Sequence, residues 1–380
     1  MKRPKLLVVI GTLDRMGGAE RQALYLVEHL LGLRCNVEVL SFEDGRGLRP
    51  QLEQLGVPVH VLPYYFRWSK ARRTRALTRL ALLLRSRIKP DALLPFVGVH
   101  SKTMGLVWPY TGARFCWWNQ QDEGRDLGGT LTEARVLHKA SCITSNSYAG
   151  RDFIAATYGI DPASVLVYNN GTPLPPDTGP GNIRETLGLA DEILVSMIAN
   201  VTSFKDHATL VDAWPTVRNH FSNGDKPVLV LAGHLKETST VATLKQRAFD
   251  NGLSSEQIRF IGAVTNVDEL MAASQLVVHS SVYEGCPNAV CEAMAMGCAV
   301  VATDIPGCRQ ALGQGADSAL APPGDAEMLA RRIIDVLEDD SLRAILGARN
   351  RERIETEFSI AGMNRFFQTQ IENGLGVSLS

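Results

Sequence analysis

Two carboxylates and one ammonium carry most of the chemistry that this sequence offers. Glu284 and Glu292 stand eight residues apart in the stretch EGCPNAVCEAMAMGCAVVAT. Glu284 lies in a polar, Gly-bearing loop, 280–286, that follows a short apolar run at 276–279. Glu292 lies in a nearly all-apolar segment that reads as a buried helix of about three turns, and a second buried strand is expected at 298–302. A carboxylate inside such a helix is costly to bury unless something partners it. Pro287 suits the first helical position and Gly297 the stop. The backbone N–H groups of Gly285, Cys286 and Asn288 then gather at a helix N-terminus, where an anion is favoured. Hydroxyls donate to carboxylates while amides take a phosphate, and that combination suits a sugar nucleotide. The competing reading makes Glu292 a cap or an internal pairing partner. Lys205, in the loop NVTSFKD ahead of a helix expected at 207–219, adds a cation where charge develops on a leaving diphosphate; its competing reading is a surface lysine.

Glu284, seven intervening residues and Glu292 within this stretch resemble the signature of retaining glycosyltransferase family 4, whose fold is GT-B: α/β, with two Rossmann-like doubly wound domains and a cleft between them. The resemblance implies that Glu284 holds the donor sugar's hydroxyls and Glu292 those of the ribose, and it matches Lys205 to the family's phosphate-binding lysine. GGAERQALYLVEHL resembles the family's cleft-facing N-terminal segment, so Gly17 and Gly18 are expected to contact the donor phosphate or the acceptor. Two departures stand out. Asn200 occupies the place, five residues before Lys205, where the family usually has an arginine, and Arg21 is the candidate substitute for its charge. In WWNQQDEG, Asp122 matches the Asp of a His-Asp pair while Gln121 replaces the His, which keeps hydrogen bonding but removes a proton-dependent charge. The loops at Gly233 and Gly262 resemble the base-binding wall, with the nucleobase expected near Gly262 and Val264. The resemblance covers essentially the whole chain, strongest at 196–312 and weakest at 64–129.

The elements that must position these groups follow from length and patterning. A chain of 380 residues suggests two domains, and 45% hydrophobic with 21% charged residues is a soluble globular composition. Strands are expected at 6–10, 37–41, 59–62, 92–96 and 113–117, with a helix at 19–31, in a first domain of about 1–172 that binds the acceptor. The Pro- and Gly-rich tract TPLPPDTGPG reads as the linker. A second, nucleotide-sugar-binding domain at about 173–358 has strands at 193–199, 228–232 and 258–261 and late helices at 325–337 and 341–357. The last helix, about 359–380, resembles the one that crosses back to the first domain in this fold. The missing Gly-x-Gly-x-x-Gly after the first strand argues against a dinucleotide dehydrogenase. At least one of Trp117 and Trp118 is expected in the core. His234 reads as a loop or pocket residue.

The seven cysteines form no Cys-x-x-Cys pair, which suits reduced thiols in a cytoplasmic protein, and Cys286, Cys291 and Cys298 lack a His to complete a zinc site. No Asp-x-Asp provides a metal-bridged donor site, so neither metal nor cofactor is expected. No apolar run reaches membrane-span length, and a net charge of −1 gives no global drive towards nucleic acid. Residues 67–89 hold nine Lys or Arg and no acid, with Leu77, Leu80, Ala81 and Leu84 at helical spacing. This segment is expected to be either a solvated basic face or a peripheral contact with the anionic inner face of a membrane. The function expected is retaining, metal-independent transfer of a hexosyl group from a nucleotide sugar, UDP-linked, to an acceptor hydroxyl on a lipid-linked or cell-surface polysaccharide precursor. The alternatives are a non-catalytic sugar-nucleotide-binding module or a sugar-nucleotide epimerase.

Overall fold

Apolar β-branched runs give parallel strands wherever a helix follows to carry the chain back, and that alternation runs through the sequence. The computed structural model describes residues 3–379 apart from 15–16, 66, 125, 176–178, 180, 222–225 and 236. The chain forms two compact units, Met1–Gly171 with Ile360–Ser380, and Thr172–Ser359. Part of the tract read as a linker, 176–178 and 180, lies outside the described residues.

In the first unit, β1 (Lys5–Thr12), α1 (Gly18–Gly32), β2 (Asn36–Glu43), α2 (Arg49–Gln54), β3 (Val59–Val61), α3 (Lys70–Leu83), β4 (Ala92–Pro95), α4 (Gly98–Val107) and β5 (Phe115–Cys116) follow in order. The strands make a parallel sheet ordered β3-β2-β1-β4-β5, with Leu6 opposite both Val37 and Ala92. Leu6, Leu7, Val8 and Val9 are wholly buried because side chains on both faces of β1 enter a core. After β1 the chain runs outward to β3 and then returns to β4 on the other side. The carboxyl ends of β1 and β4 therefore flank a topological switch point, where open α/β sheets hold ligands.

The single strand expected at 113–117 is instead two strands in two sheets. Phe115–Cys116 ends the first, and β6 (Trp118–Gln120) opens a parallel three-stranded sheet, with α5 (Leu131–Lys139), β7 (Ile143–Ser145), α6 (Tyr148–Tyr158) and β8 (Val165–Val167). The break falls at two adjacent tryptophans. Trp117 donates from Nε1 to Pro95 O at 2.7 Å and packs against Phe96, Phe115 and Phe367, whereas Trp118 donates to Gln120 Oε1 at 3.1 Å within a separate cluster. Successive side chains point to opposite faces, so both indoles are buried only because each face has its own core.

The second unit holds α7 (Ile183–Thr186), β9 (Leu194–Ile198), α8 (His207–His220), β10 (Val228–Ala232), α9 (Thr238–Asp250), β11 (Ile258–Gly262), α10 (Val267–Ala273) and β12 (Leu276–His279). It continues through α11 (Asn288–Ala295), β13 (Val300–Thr303), α12 (Pro306–Leu312), β14 (Leu320–Ala321), α13 (Ala326–Glu338) and α14 (Asp340–Glu357). Its parallel sheet is ordered β11-β10-β9-β12-β13-β14, so the switch point lies between β9 and β12. Helix α11 is shorter than expected, at eight residues, and Pro287 is its N-cap rather than its first helical residue. Glu292 is half-buried, not enclosed. Gly297 takes a left-handed φ of 74° after the helix, which pushes the start of β13 to Val300.

Helix α15 (Ile360–Leu375) belongs to the first unit. Its Met363, Phe367, Ile371 and Leu375 recur every fourth residue and are buried, with the Phe367 ring 5.7 Å from Phe96, 5.1 Å from Trp117 and 4.7 Å from Tyr168. Phe358 and Ser359 stay with the second unit, where Thr172 N donates to Phe358 O at 2.8 Å.

Candidate functional site

The loops that leave β9 and β12 meet at the switch point of the second unit. Lys205 closes a single 3₁₀ turn, Ser203–Lys205, and Asp206 then caps α8, accepting from Thr209 N at 3.3 Å and Thr209 Oγ1 at 2.7 Å. The ammonium of Lys205 donates to Glu284 Oε1, and His279 Nε2 lies 3.0 Å from the same oxygen. Both charged side chains are largely enclosed, 18% and 12% exposed. Two groups expected to act on different parts of a ligand are thus paired with each other.

Buried hydroxyls lace the two loops together. Ser281 Oγ donates to Phe204 O at 2.9 Å, Ser280 Oγ to Asp206 O at 3.0 Å, and Thr303 Oγ1 to Ser281 O at 2.5 Å. Each of these three side chains is wholly buried, so each unmade bond would carry a desolvation cost. Sequence reasoning passed over them and His279. The available signal was a polar run, His-Ser-Ser, closing an apolar strand.

On the other side of the loop, Gly285, Cys286 and Pro287 are buried and Asn288 is half-buried. Helix α12 sits so close that a Cβ on Gly307 would come 2.4 Å from Gly285 O and 2.5 Å from Glu284 O. Gly307 thereby sets the height of the Glu284 loop. The thiols of Cys286 and Cys291 touch at 3.9 Å and all seven cysteines are free. Among the described residues no group of three metal-ligating side chains gathers.

Burial alone would raise the carboxyl of Glu284, but the Lys205 charge and then His279 hold it down to about 2. Burial lowers His279, against the pull of Glu284. At His207, burial joined by His279 and Lys205 lowers the imidazole to about 4. These histidines are neutral in the folded protein and take up protons more readily when it unfolds. The stabilisation from His207 is complete above pH 6.5 and is lost as pH falls towards 4, that from His279 is lost in the same direction, and that of Glu284 is lost only as pH falls from about 4.5 towards 2. For His207 the shift corresponds to roughly 3 kcal/mol. The urea midpoint of the second unit is expected to drop between pH 6.5 and 4, and to drop less in His207→Gln. An unchanged slope in that variant would remove His207 from the account.

The side-chain oxygen of Asn200 has a structural partner. That atom accepts from His234 N at 3.0 Å, while Val201 N donates to His234 O at 3.1 Å, so Asn200 staples the loops after β9 and β10. Gly233 is required there, because a Cβ would lie 2.0 Å from Ala199 O, and its N–H donates to Gly262 O at 2.8 Å. Asn200, Gly233, Gly262 and the half-buried Val264 consequently share one edge of the sheet. His234 is a loop residue held by its backbone.

Gly17, Gly18, Arg21, Gln121 and Asp122 all belong to the first unit. Gly17 is the N-cap of α1 and Gly18 its first residue, and Arg21, half-buried, donates its backbone N–H to Gly17 O at 3.0 Å. Across the switch point stands His100, which sequence reasoning did not single out. Its Nδ1 donates to Phe96 O at 2.7 Å, and burial lowers it to about 4, leaving the Nε2 lone pair on a neutral ring. A Cβ on Gly11 would meet that ring at 2.6 Å. The turn before α4 puts Val97 at φ 73°, a strained conformation for a β-branched residue. Asp122 organises a tight turn, its Oδ1 accepting from Gly124 N and Gln120 Nε2 at 2.8 Å each. Gln121 Nε2 donates to Tyr168 Oη at 3.4 Å.

Comparison with known proteins matches both units. The model described as Glycosyltransferase Family 4 matches residues 16–174, and that described as Glycosyl transferases group 1 matches 192–339. The lipopolysaccharide core biosynthesis glycosyltransferase LpsE of Rhizobium meliloti is 34% identical over 90% of this chain and 92% of its own length. A Campylobacter jejuni N-acetylgalactosaminyltransferase, named for a diphospho-undecaprenol-linked saccharide, is 25% identical over 54% of this chain. The chain spans a third to about half of the length of the first curated relatives it matches, 33% and 53%. Among solved structures, Anabaena HepE in complex with UDP and glucose superposes with a TM-score of 0.83 at 20% identity, over 98% of this chain and 100% of that one.

Proposed function

The chain belongs to the family 4, group 1 glycosyltransferases and has their GT-B fold, and from that premise we propose that it transfers a hexosyl group from a UDP-linked sugar, with retention, to an acceptor hydroxyl. The observation that carries this reading is the Lys205–Glu284 pair beside the N-terminus of α11. Arriving donor exchanges that pair for two new contacts: Glu284 accepts from a sugar hydroxyl, and Lys205 with the backbone N–H groups of Gly285, Cys286 and Asn288 takes the diphosphate. Those groups are stronger partners for a leaving diphosphate than for the intact donor, because charge grows on it as the glycosidic bond breaks. The acceptor attacks on the face from which the diphosphate departs, and the leaving phosphate takes its proton. No protein nucleophile is needed. Cationic and amide donors do the neutralising, so transfer is metal-independent, and a chelator is expected to leave the rate unchanged.

The second unit binds the nucleotide sugar, with the base near Gly262 and Val264, and the first, through Gly17, Gly18, Arg21, Gln121 and Asp122, binds the acceptor. A lipid-linked saccharide is the acceptor class, in keeping with the names of the Rhizobium and Campylobacter relatives. No helix among the described residues is long and apolar enough to cross a membrane. Attachment is peripheral, at the cytoplasmic face.

Incubation with UDP-glucose tests the reading directly. Slow release of UDP without acceptor, rising when a lipid-linked saccharide is added, supports transfer with the anomer assigned by NMR. No UDP release would leave a binding module, and an intact epimerised donor would make the chain an epimerase. Glu292→Ala is expected to weaken UDP affinity about tenfold through loss of a charge-assisted hydrogen bond to the ribose, with a smaller change in kcat, read by calorimetry and steady-state kinetics.

A further inference from the structure

At the β3 edge of the first unit, a groove of about 650 Å³ runs between Leu62, Pro63 and one face of α3. Arg72, Arg75 and Arg79 line it together with Tyr65 and Trp68, and no acidic side chain does. The three guanidiniums are spaced three and four residues apart, so they lie along one side of the helix. Arg72 is set in advance: its guanidinium stacks 3.8 Å over the Trp68 ring, and its backbone N–H is capped by Ser69. The apolar stripe of α3 is spent on the core through Ala76 and Leu80. The cations are therefore presented to whatever enters the groove.

Its place in the sheet adds a length. Leu62 follows the carboxyl end of β3, and β3, β2 and β1 are neighbours, so the groove lies two strand spacings, roughly 10 Å, from the loop after β1. Rings bridge that span: Trp68 to Tyr64 at 6.4 Å, Tyr64 to Phe42 at 6.0 Å, and Phe42 to His100 at 5.4 Å.

We infer that this groove is a phosphoanion subsite that anchors the acceptor by a phosphate or diphosphate placed one or two sugar units from the hydroxyl that reacts. This rests on the transferase reading for its purpose. Arginine forks fit phosphate oxygens in pairs, and the half-buried rings of Tyr65 and Trp68, which line the groove, pack beside the sugar ring or the first isoprenyl carbons. The carrier is an isoprenyl diphosphate rather than the bilayer surface, since the cations line a recess and not a flat face.

Calorimetry on the full chain with geranyl diphosphate, inorganic pyrophosphate and geraniol tests the subsite. Geranyl diphosphate is expected to bind most tightly and geraniol not at all. The triple variant R72Q/R75Q/R79Q should weaken geranyl diphosphate by tenfold or more, and Trp68→Ala by several-fold. UDP release from UDP-glucose without acceptor should be unchanged in the triple variant. Equal affinity of wild type and triple variant for geranyl diphosphate overturns the subsite. So does arginine-dependent binding to phosphatidylglycerol vesicles with no binding of either diphosphate, which would return the segment to a bilayer contact. Failure of the wild type to release UDP from UDP-glucose would instead count against the transferase reading, because the groove is read by binding alone.

Discussion

Lys205→Ala is expected to lower kcat by about 10²–10³-fold, the usual cost of removing a donor aimed at developing negative charge, while UDP affinity changes by a few-fold. The geometry gives a second readout. Lys205 is the largest influence opposing the burial that raises the Glu284 carboxyl. Without the ammonium, the acid limb of the pH-rate profile should move to higher pH, because Glu284 must be ionised to accept from a sugar hydroxyl. Lys205→Arg should restore part of the profile but less of the rate, as a planar fork replaces a point charge. A variant with full kcat and an unmoved acid limb would detach Lys205 from the chemistry.

Gly307→Ala should be nearly as damaging although the residue touches no ligand in the proposed site. Its new Cβ would fall within 2.5 Å of two backbone carbonyls, those of Glu284 and Gly285, and backbone cannot swing aside as a side chain can. Either α12 or the Glu284 loop must shift by about an ångström, a displacement that costs on the order of 10²-fold in kcat/KM, with about 1–3 kcal/mol of stability lost to overpacking. Gly307→Val should be worse on both counts. Activity within twofold of wild type in Gly307→Ala, with the melting temperature unchanged, would show that the loop tolerates movement.

Both results concern features the sequence carried unequally. Strands of the second unit were legible where they are apolar runs buried on both faces, and 228–232 and 276–279 match to the residue. Glu284 and Lys205 could be picked out one at a time, as charges in loops at strand ends. Their pairing could not, since it depends on β9 and β12 being neighbours although Lys205 and Glu284 are 79 positions apart in the chain. The hydroxyls of Ser280, Ser281 and Thr303 were hidden for a related reason: serine and threonine at strand ends look like ordinary loop residues until their partners are known. Gly307 was invisible because its φ is ordinary; what demands glycine is the approach of another segment. In the first unit the three-residue strands β6 to β8 are too short for any period to show, and two tryptophans in a row concealed a change of sheet.

The return of α15 to the first unit has a consequence for how the molecule is made. On the ribosome the first 171 residues emerge before Thr172–Ser359, and only then does the helix arrive that supplies Phe367 to Phe96, Trp117 and Tyr168. At ordinary rates of elongation that interval is about 10–40 s. The second unit is contiguous and has every strand it needs, so it can close while the first waits with an aromatic face uncovered. Such a face invites association between nascent chains. A chaperone that shields apolar surface during synthesis should raise the yield of active protein more than one added after release, and a release signal placed before Ile360 should strand the chain in that open state.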